Sequence, residues 1–282
     1  MKAAAFAYRA AASEADAVAL LAAAGDAGKV IGGSQSLGPM LNLRLAYVEQ
    51  LVGVRGIASL QSVTLADDTL RIGSGVTHAM IEDGALPDVT MGLLPAVAQR
   101  IAYRAVRNRG TLGGSLAHAD PAADWVSVMR LLNARLHLLG PAGPRSVMAD
   151  AFWLGAFTPG LAPDEIIVAV ELPRFAPGAR WAYRKLCRKP GEFADAIAAV
   201  WVDPARGVAR VLLGALDGMP HVMDDAAALA ALQSPATRPD ATTQLLDDAG
   251  LNDPDARALH AEMLRRALAD LDRFGPGPGA QA

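Results

Sequence analysis

The 282-residue sequence predicts an α+β protein with two domains. Strand-like and helical segments follow one another irregularly, which does not fit the regular alternation of a βαβ array. The composition changes at residues 173–178, where two prolines and a glycine lie within a short stretch. Because such residues interrupt regular structure, we predict a domain boundary there. A chain of this length has room for two hydrophobic cores.

The N-terminal domain is predicted to begin with a helix that Ser13 caps, since Asp16 occupies the capping-box position and apolar residues follow. Gly25 and Gly28 are predicted to end this helix. A later helix is predicted from Pro121 to about residue 133, because Asp120-Pro121 has the form of an N-cap followed by proline at the first helical position. The other predicted elements of this domain are a helix at 93–106 and strands at 29–31, 51–54, 70–73, 135–139 and 166–172.

The C-terminal domain is predicted to contain strands at 181–187, 196–202 and 208–216, followed by two or three helices. The last helix spans about 254–274 and carries an apolar stripe. The residues of that stripe are Leu259, Met263, Leu264, Leu268 and Leu271. Residues 275–282, which are mostly glycine and proline, are predicted to be disordered.

Charge and composition exclude several classes of function. The formal net charge is −3, so no strong positive field attracts nucleic acid. No apolar run approaches the roughly 20 residues that span a bilayer, and the first residues do not resemble a secretion signal. The single cysteine, Cys187, cannot hold an iron–sulfur cluster, which takes about four thiolates. We predict that it is a buried small hydrophobic residue rather than a redox group. The five histidines lack ligand spacing, so we predict no metal in this chain.

Two glycine-rich segments carry the strongest functional signal. Residues 30–38 read Val-Ile-Gly-Gly-Ser-Gln-Ser-Leu-Gly, and residues 107–121 read Arg-Asn-Arg-Gly-Thr-Leu-Gly-Gly-Ser-Leu-Ala-His-Ala-Asp-Pro. Glycine lacks a Cβ that would hold a ligand away, and successive backbone N–H groups can converge on phosphate oxygens. Two such loops on one chain indicate one long ligand with a phosphate centre, most simply a dinucleotide.

The first segment matches neither of the common phosphate motifs. Pro39 and Met40 occupy the Lys and Ser/Thr positions of a P-loop, and Gln35 stands where a Rossmann loop needs glycine. A structural turn is the alternative for either segment alone, and the pairing of the two favours ligand binding. Arg107 and Arg109 are predicted to be solvated rather than to contact the ligand.

Residues 32–45 and 107–124 together resemble the FAD-binding medium subunit of the molybdenum hydroxylases, the family of xanthine, carbon monoxide and nicotine dehydrogenases. Residues 183–194 resemble a third segment of that family, from which they depart at Glu192 and Phe193. The resemblance covers nearly the whole chain. It implies an FAD-binding domain of the PCMH type over residues 1–175, with two lobes of approximately 1–55 and 56–175. It also implies a smaller α+β domain over residues 178–274, with a three-stranded antiparallel sheet and helices.

The same resemblance implies a function. FAD would be bound non-covalently and would carry the redox chemistry, so no catalytic side chain is expected. The partners would be a large molybdopterin-binding subunit and a small subunit with two 2Fe–2S clusters, in a cytoplasmic twofold heterohexamer. Electrons would pass from the clusters through FAD to an external acceptor. Two alternatives are a self-sufficient FAD-dependent oxidase or dehydrogenase and a non-catalytic flavin-binding module.

The expected FAD contacts fall into three groups. The first glycine segment would contribute Val30, Ile31, Gly32, Gly33, Ser34, Gln35, Ser36 and Leu37. The second would contribute Thr111, Gly113, Gly114 and Ser115 around the pyrophosphate, followed by His118, Asp120 and, at the ribose or adenine, Asp124. The flavin ring would meet Ile101, Ile167, Lys185 and Phe193. A core position is the alternative for Phe193.

Overall fold

The computed structural model describes residues 2–273, so the predicted disordered tail lies outside the described residues. Three main sheets of three, five and four strands follow one another along this part of the chain. Helices are grouped between the strands without strict alternation, which agrees with the predicted α+β class. No helix within 2–273 is both long enough and apolar enough to cross a membrane.

The first sheet contains only parallel strands. Its part of the chain comprises β1 (Ala7–Ala10), α1 (Glu14–Ala24), β2 (Gly28–Ile31), α2 (Leu37–Asn42) and β3 (Gln50–Gly53), with the strand order β1-β3-β2. The start of α1 is confirmed, because Ser13 Oγ accepts from the amide of Asp16 at 3.1 Å and the Asp16 carboxylate accepts from the amide of Ala12 at 2.8 Å. Gly25, at φ 56°, ends α1.

The second sheet is antiparallel, with the order β4-β5-β10-β6-β7. Its strands are β4 (Val63–Leu65), β5 (Thr69–Gly73), β6 (Arg135–Gly140), β7 (Gly143–Met148) and β10 (Ile166–Pro173). The helices in this part of the chain are α3 (His78–Glu82), α4 (Leu93–Ala98), α5 (Arg104–Arg107), α6 (Leu112–His118), α7 (Asp124–Leu131) and α8 (Ala149–Phe152). A small hairpin, β8 (Trp153–Gly155) and β9 (Thr158–Pro159), precedes β10.

The two faces of β10 belong to different cores. Ile167 and Val170 pack into the large core with residues of α4, α6 and α7. Ile166 and Val168 pack with residues of α1 and β3 in a smaller core. A register shift between Ile167 and Ala169 accompanies this arrangement. One strand therefore packs against α1 and β3 on one face and against α4, α6 and α7 on the other.

The C-terminal sheet has four strands, so the predicted three-stranded sheet is wrong. Its strands are β11 (Arg180–Leu186), β12 (Ala196–Asp203), β13 (Val208–Gly214) and β14 (His221–Asp224), all antiparallel. The fourth strand is short and half-polar, and only pairing with β13 gives it strand geometry. The helices α9 (Ala226–Gln233), α10 (Arg238–Asp248) and α11 (Pro254–Arg273) follow. Their apolar residues pack on one face of this sheet.

The large core continues across the predicted domain boundary at 173–178. Ile197 and Leu212, on the second face of the C-terminal sheet, belong to the same cluster as the residues of α7. The rings of Phe175 and Trp201 stack across this region with their centroids 5.0 Å apart. The two predicted domains therefore share a continuous apolar contact.

Several predicted elements differ in the structure. The helix at 93–106 is two helices, because Ala102 adopts φ 43° and interrupts the chain between α4 and α5. The helix predicted from Pro121 begins at Asp124 instead, since Asp120 Oδ1 accepts from the amide of Ala122 at 2.9 Å and forms a turn. Leu259 is 39% exposed and does not belong to the buried stripe of α11. Cys187 is half-buried rather than buried.

Candidate flavin site

The two glycine segments meet through their backbones. We call residues 32–36 the first loop and residues 109–115 the second loop. A Cβ on buried Gly33 would overlap the carbonyl oxygen of Arg109 and would lie 2.7 Å from the Cα of Gly110. Only glycine allows this approach, because any other residue would push the loops apart. The pairing that the sequence suggests is therefore a direct contact in the folded chain.

The first loop presents unpaired backbone donors. It leaves β2 at Ile31, whose carbonyl accepts from the amide of Val54 at 3.2 Å, and turns at Ser34, which adopts φ 61°. The side-chain amide of Gln35 donates to the carbonyl of Gly33 at 3.0 Å and stiffens the turn. Among the described residues, the backbone N–H groups of 32–36 donate to no protein acceptor. Such a run of free amides suits an anionic ligand.

The second loop is hydrogen-bonded to residues 74–78, which the sequence analysis does not identify as part of the site. The amide of Gly113 donates to the carbonyl of Ser74 at 2.8 Å, and the amide of His78 donates to the carbonyl of Gly110 at 3.0 Å. A Cβ on Gly113 would lie 2.9 Å from the Ser74 carbonyl oxygen. The sequence signal for this segment is Ser74-Gly75, directly after a strand that itself ends in Gly73.

The amides of the second loop are largely engaged within the protein. Ser115 N donates to the carbonyl of Thr111, and Gly114 N donates to the Thr111 hydroxyl, each at 3.1 Å. The amides of Gly113, Gly114 and Ser115 therefore donate to acceptors within the protein, whereas the sequence led us to expect that amides of both loops face the ligand. The second loop still offers the hydroxyls of Thr111 and Ser115, and Gly114 is exposed. The free amides thus lie mostly in the first loop, and the second loop lies directly beside them.

Buried His78 holds the second loop in place, because its amide donates to the carbonyl of Gly110. Its Nδ1 accepts from Trp125 Nε1 at 2.9 Å, so the neutral ring carries its proton on Nε2. Burial, and secondarily the charge of Arg107, lowers the pKa of His78 from 6.5 to about 4. The imidazole is therefore neutral at physiological pH and acts as a fixed acceptor.

Arg107 is not solvated, so that prediction is wrong. Its guanidinium binds Glu82 through two bonds of 2.8 Å and donates to the carbonyls of Ile101 and Ala102 at 2.9 and 2.8 Å. These bonds lower the pKa of the Glu82 carboxyl. Arg109, in contrast, is exposed, as predicted. Arg107 thus holds the chain around Ile101, one of the predicted flavin contacts, in place.

Phe193 lies beside the same chain segment. Ile101 forms a parallel bridge with Gly191, which adopts φ 88° and approaches the carbonyl of Ala102 closely. Phe193 follows this contact and is 59% exposed, which excludes the alternative of a core aromatic. Ile101 therefore lies beside Gly191, two residues before Phe193, and the exposed ring of Phe193 is free to stack against a ligand.

Asp124 and Lys185 contact each other. Lys185 Nζ donates to Asp124 Oδ2 at 2.8 Å, and the Tyr183 hydroxyl donates to Asp124 Oδ1 at 2.8 Å. The side chains of Lys185 and Asp124 are only 3% and 5% exposed. Burial, then the adjacent carboxylate, raises the pKa of Tyr183 well above 10. This cluster ties the start of α7 to β11, and direct flavin contacts of Asp124 and Lys185 stay predictions.

The remaining predicted residues lie around the second loop or behind it. His118 is half-buried, with its ring centroid 5.3 Å from that of Phe157, and burial lowers its pKa. The charge of Asp120 raises this pKa and that of Lys29 lowers it, but burial has the larger effect. Ile167 is 6% exposed within the core, so a flavin ring could meet its backbone only. Val30 and Leu37, at either end of the first loop, are half-buried.

The arrangement is an open site for an extended anionic ligand. Within residues 2–273, no group of three His, Cys, Asp or Glu side chains could hold a metal ion. Two cavities of about 310 and 330 Å³ lie elsewhere, one at β6 and β7 and one beside α1. Neither is lined by a residue of the two loops. The loops lie where β2 and β5 end, and Arg109 and Gly114 are their exposed residues.

Comparisons with known proteins agree with this geometry. Residues 4–175 match the family model for the FAD binding domain in molybdopterin dehydrogenase. The chain is 38% identical over 195 residues to the carbon monoxide dehydrogenase medium chain of Hydrogenophaga pseudoflava, covering 69% of this chain and 68% of that protein. It is 36% identical over 205 residues to the nicotine 6-hydroxylase medium subunit of Paenarthrobacter nicotinovorans, covering 73% and 71%.

Solved structures give the same answer over nearly the full length. The carbon monoxide dehydrogenase from Hydrogenophaga pseudoflava superimposes with a TM-score of 0.85 at 34% identity, covering 97% of this chain and 99% of that chain. Quinoline 2-oxidoreductase from Pseudomonas putida 86 superimposes with a TM-score of 0.84 at 31% identity and the same coverage. The chain therefore belongs to the family of FAD-binding domains of the molybdopterin dehydrogenases, the oxidoreductase family that its two glycine segments indicate.

Proposed function

We propose that this chain is the FAD-binding electron-transfer subunit of a cytoplasmic, molybdenum-dependent hydroxylase complex. The observation that carries the proposal is the contact of Gly33 with Arg109 and Gly110, which joins five free backbone amides to the second glycine loop. A ligand that bridges both loops needs a charged centre and two extended ends, as FAD has. The bound cofactor would supply reversible one- and two-electron transfer.

The residues around the loops fit FAD in this role. The amides of 32–36 would hold the pyrophosphate, with the hydroxyls of Thr111 and Ser115 opposite, because donors to charged oxygens form the stronger class of hydrogen bond. Phe193 and the segment at Ile101 would contact the isoalloxazine. The Asp124–Lys185 pair would fix α7 against β11, so that the two predicted domains, 1–175 and 178–274, keep one relative position. No side chain of this chain needs to act as acid or base.

The proposed partners rest on the kind of subunit that the relatives are. Within residues 2–273 no group of His, Cys, Asp or Glu side chains could hold a metal ion, and the proposed iron–sulfur and molybdenum centres therefore belong to other chains. We propose a large molybdopterin-binding subunit and a small subunit with two 2Fe–2S clusters, assembled as a twofold heterohexamer. The medium-chain and medium-subunit names of the relatives support such an assembly.

The cofactor is tested by denaturing the purified protein and analysing the supernatant. Free FAD at one molecule per chain is expected. Recovery of FMN, or flavin that stays attached to the polypeptide, would contradict the proposal. If the chain binds FAD but no partner subunit reduces that FAD, the chain is a non-catalytic flavin-binding module.

Electron transfer is tested by stopped-flow measurement of flavin reduction. The isolated chain with FAD is expected to show no substrate-driven reduction, because its flavin has no internal donor. Addition of the molybdenum and iron–sulfur subunits is expected to start reduction. Rapid reduction of the isolated chain by an organic substrate would instead identify a self-sufficient oxidase or dehydrogenase.

A further inference from the structure

The outer face of the second sheet carries a cavity that no flavin contact lines. It has a volume of about 310 Å³, and its polar lining side chains are Arg71 on β5, His137 on β6, and Arg145 and Ser146 on β7. The other lining residues are Val168 on β10, Pro144 on β7 and Leu138 on β6, whose side chain is buried in the large core. Every polar side chain in this lining can donate a hydrogen bond, and no carboxylate lines the cavity.

Two of these donors have no partner among the described residues. The guanidinium of Arg71 is exposed and forms neither a hydrogen bond nor an ion pair. Nε2 of His137 is buried without a hydrogen-bond partner, and the nearest carboxylate oxygen, Oε2 of Glu171, lies 3.6 Å away. A buried polar atom is rarely left unpaired, so the ring nitrogen of His137 indicates a missing acceptor, and the exposed guanidinium of Arg71 is free to bind the same acceptor. Arg145 differs, since Glu165 and the carbonyl of Gly160 occupy its Nε and Nη2.

The charges around His137 also favour an added anion. Arg71 and Arg135 face the ring from β5 and β6, and Glu171 on β10 faces it with Oε2 3.6 Å from Nε2, beyond a hydrogen bond. Glu171 also lies 3.8 Å from Arg135. Burial, and then the charge of Arg71, lowers the pKa of His137 despite this carboxylate. The positive charges are thus only partly compensated by the protein itself.

We infer that this cavity is a binding site for a small phosphate-bearing ligand, held by Arg71, His137 and Ser146. A phosphate accepts bonds on several oxygens at once, which suits donors contributed by three strands of one sheet. The volume is at the lower end of small-molecule pockets and exceeds the needs of one phosphate group, so it leaves room for a small organic part. The site is independent of the proposed flavin function.

Inorganic phosphate is the probe, and the ring signals of His137 are the readout. The full chain, saturated with FAD, is titrated with phosphate while two-dimensional NMR follows the histidine rings. His137→Gln identifies the signals by their loss. Saturable shifts of the His137 signals and a rise of its pKa with phosphate are expected, because a bound anion favours the imidazolium form. Flavin absorbance is recorded in parallel.

Two variants locate the site. Arg71→Met is expected to weaken phosphate binding by about tenfold, as befits loss of one charge-assisted hydrogen bond. Arg9→Met is the matched control, because Arg9 is an exposed arginine on β1 outside the cavity lining, and it should bind phosphate like the unchanged protein. Three results would overturn the inference: no saturable shift, equal weakening in both variants, or shifts that follow loss of bound flavin and so report on the glycine loops.

Discussion

The buried pair of Asp124 and Lys185 allows a sharp test of how the two predicted domains are joined. Lys185→Met keeps the length of the side chain and removes its charge. The Asp124 carboxylate would then remain almost fully buried with only the Tyr183 hydroxyl as a side-chain partner. A carboxylate in this position has lost its compensating charge, and solvent cannot replace that charge without opening the contact between α7 and β11.

The expected cost is large for a single substitution. Removing one partner of a buried ion pair typically destabilises a protein by about 3–5 kcal/mol, because the other charge stays desolvated. Tyr183→Phe removes one hydrogen bond to the same carboxylate and should cost less, about 1.5–3 kcal/mol. The double variant of Lys185→Met and Asp124→Asn should be more stable than the sum of the single effects predicts, since neither charge remains.

Urea unfolding, followed by circular dichroism, measures these free energies. Lys189→Met is the matched control, because Lys189 is an exposed lysine of the loop that follows β11, and it should change the free energy of unfolding by less than about 0.5 kcal/mol. A cost below about 1 kcal/mol for Lys185→Met, or additive effects in the double variant, would refute the reasoning. A changed flavin spectrum at unchanged stability would indicate that Lys185 contacts the flavin instead.

Three further predictions concern the flavin site. Gly33→Ala should abolish FAD retention on a desalting column, because the added Cβ would overlap the carbonyl of Arg109. Gly56→Ala is the control and should retain FAD like the unchanged protein, because no heavy atom lies within 4 Å of its added Cβ. Phe193→Ala should alter the visible flavin spectrum and leave the unfolding midpoint unchanged, since Phe193 is exposed; loss of folding would assign it to the core. Because burial lowers the pKa of His78 from 6.5 to about 4, the unfolded chain takes up a proton at a higher pH than the folded chain. The free energy of unfolding should therefore be unaffected by His78 above pH 6.5 and should fall by about 3 kcal/mol between pH 6.5 and pH 4. Urea unfolding at pH 7 and pH 4.5 checks this, and an equal pH dependence in His78→Asn would count against it.

Local signals were sufficient for much of the fold. Ser13 and Gly25 mark the two ends of α1 because capping depends on residues within a few positions of each other. The strands β2, β3, β5, β6 and β10 lie close to their predicted positions, since short apolar runs between turn residues favour strands locally. The two glycine segments likewise indicate a phosphate-bearing ligand, because they remove side chains from two stretches of backbone.

Tertiary structure decided which of those signals act together. Only the folded chain brings Gly33 against Arg109, engages the amide of Gly113 with Ser74, and pairs Asp124 with Lys185 across 61 positions of sequence. The break at Ala102 depends equally on distant residues. These contacts follow from how separate elements pack, and packing energies depend on neighbours that no local window contains. The sequence by itself therefore determined the family and the type of ligand, whereas the source of the free amides and the role of the buried ion pair came from the folded structure.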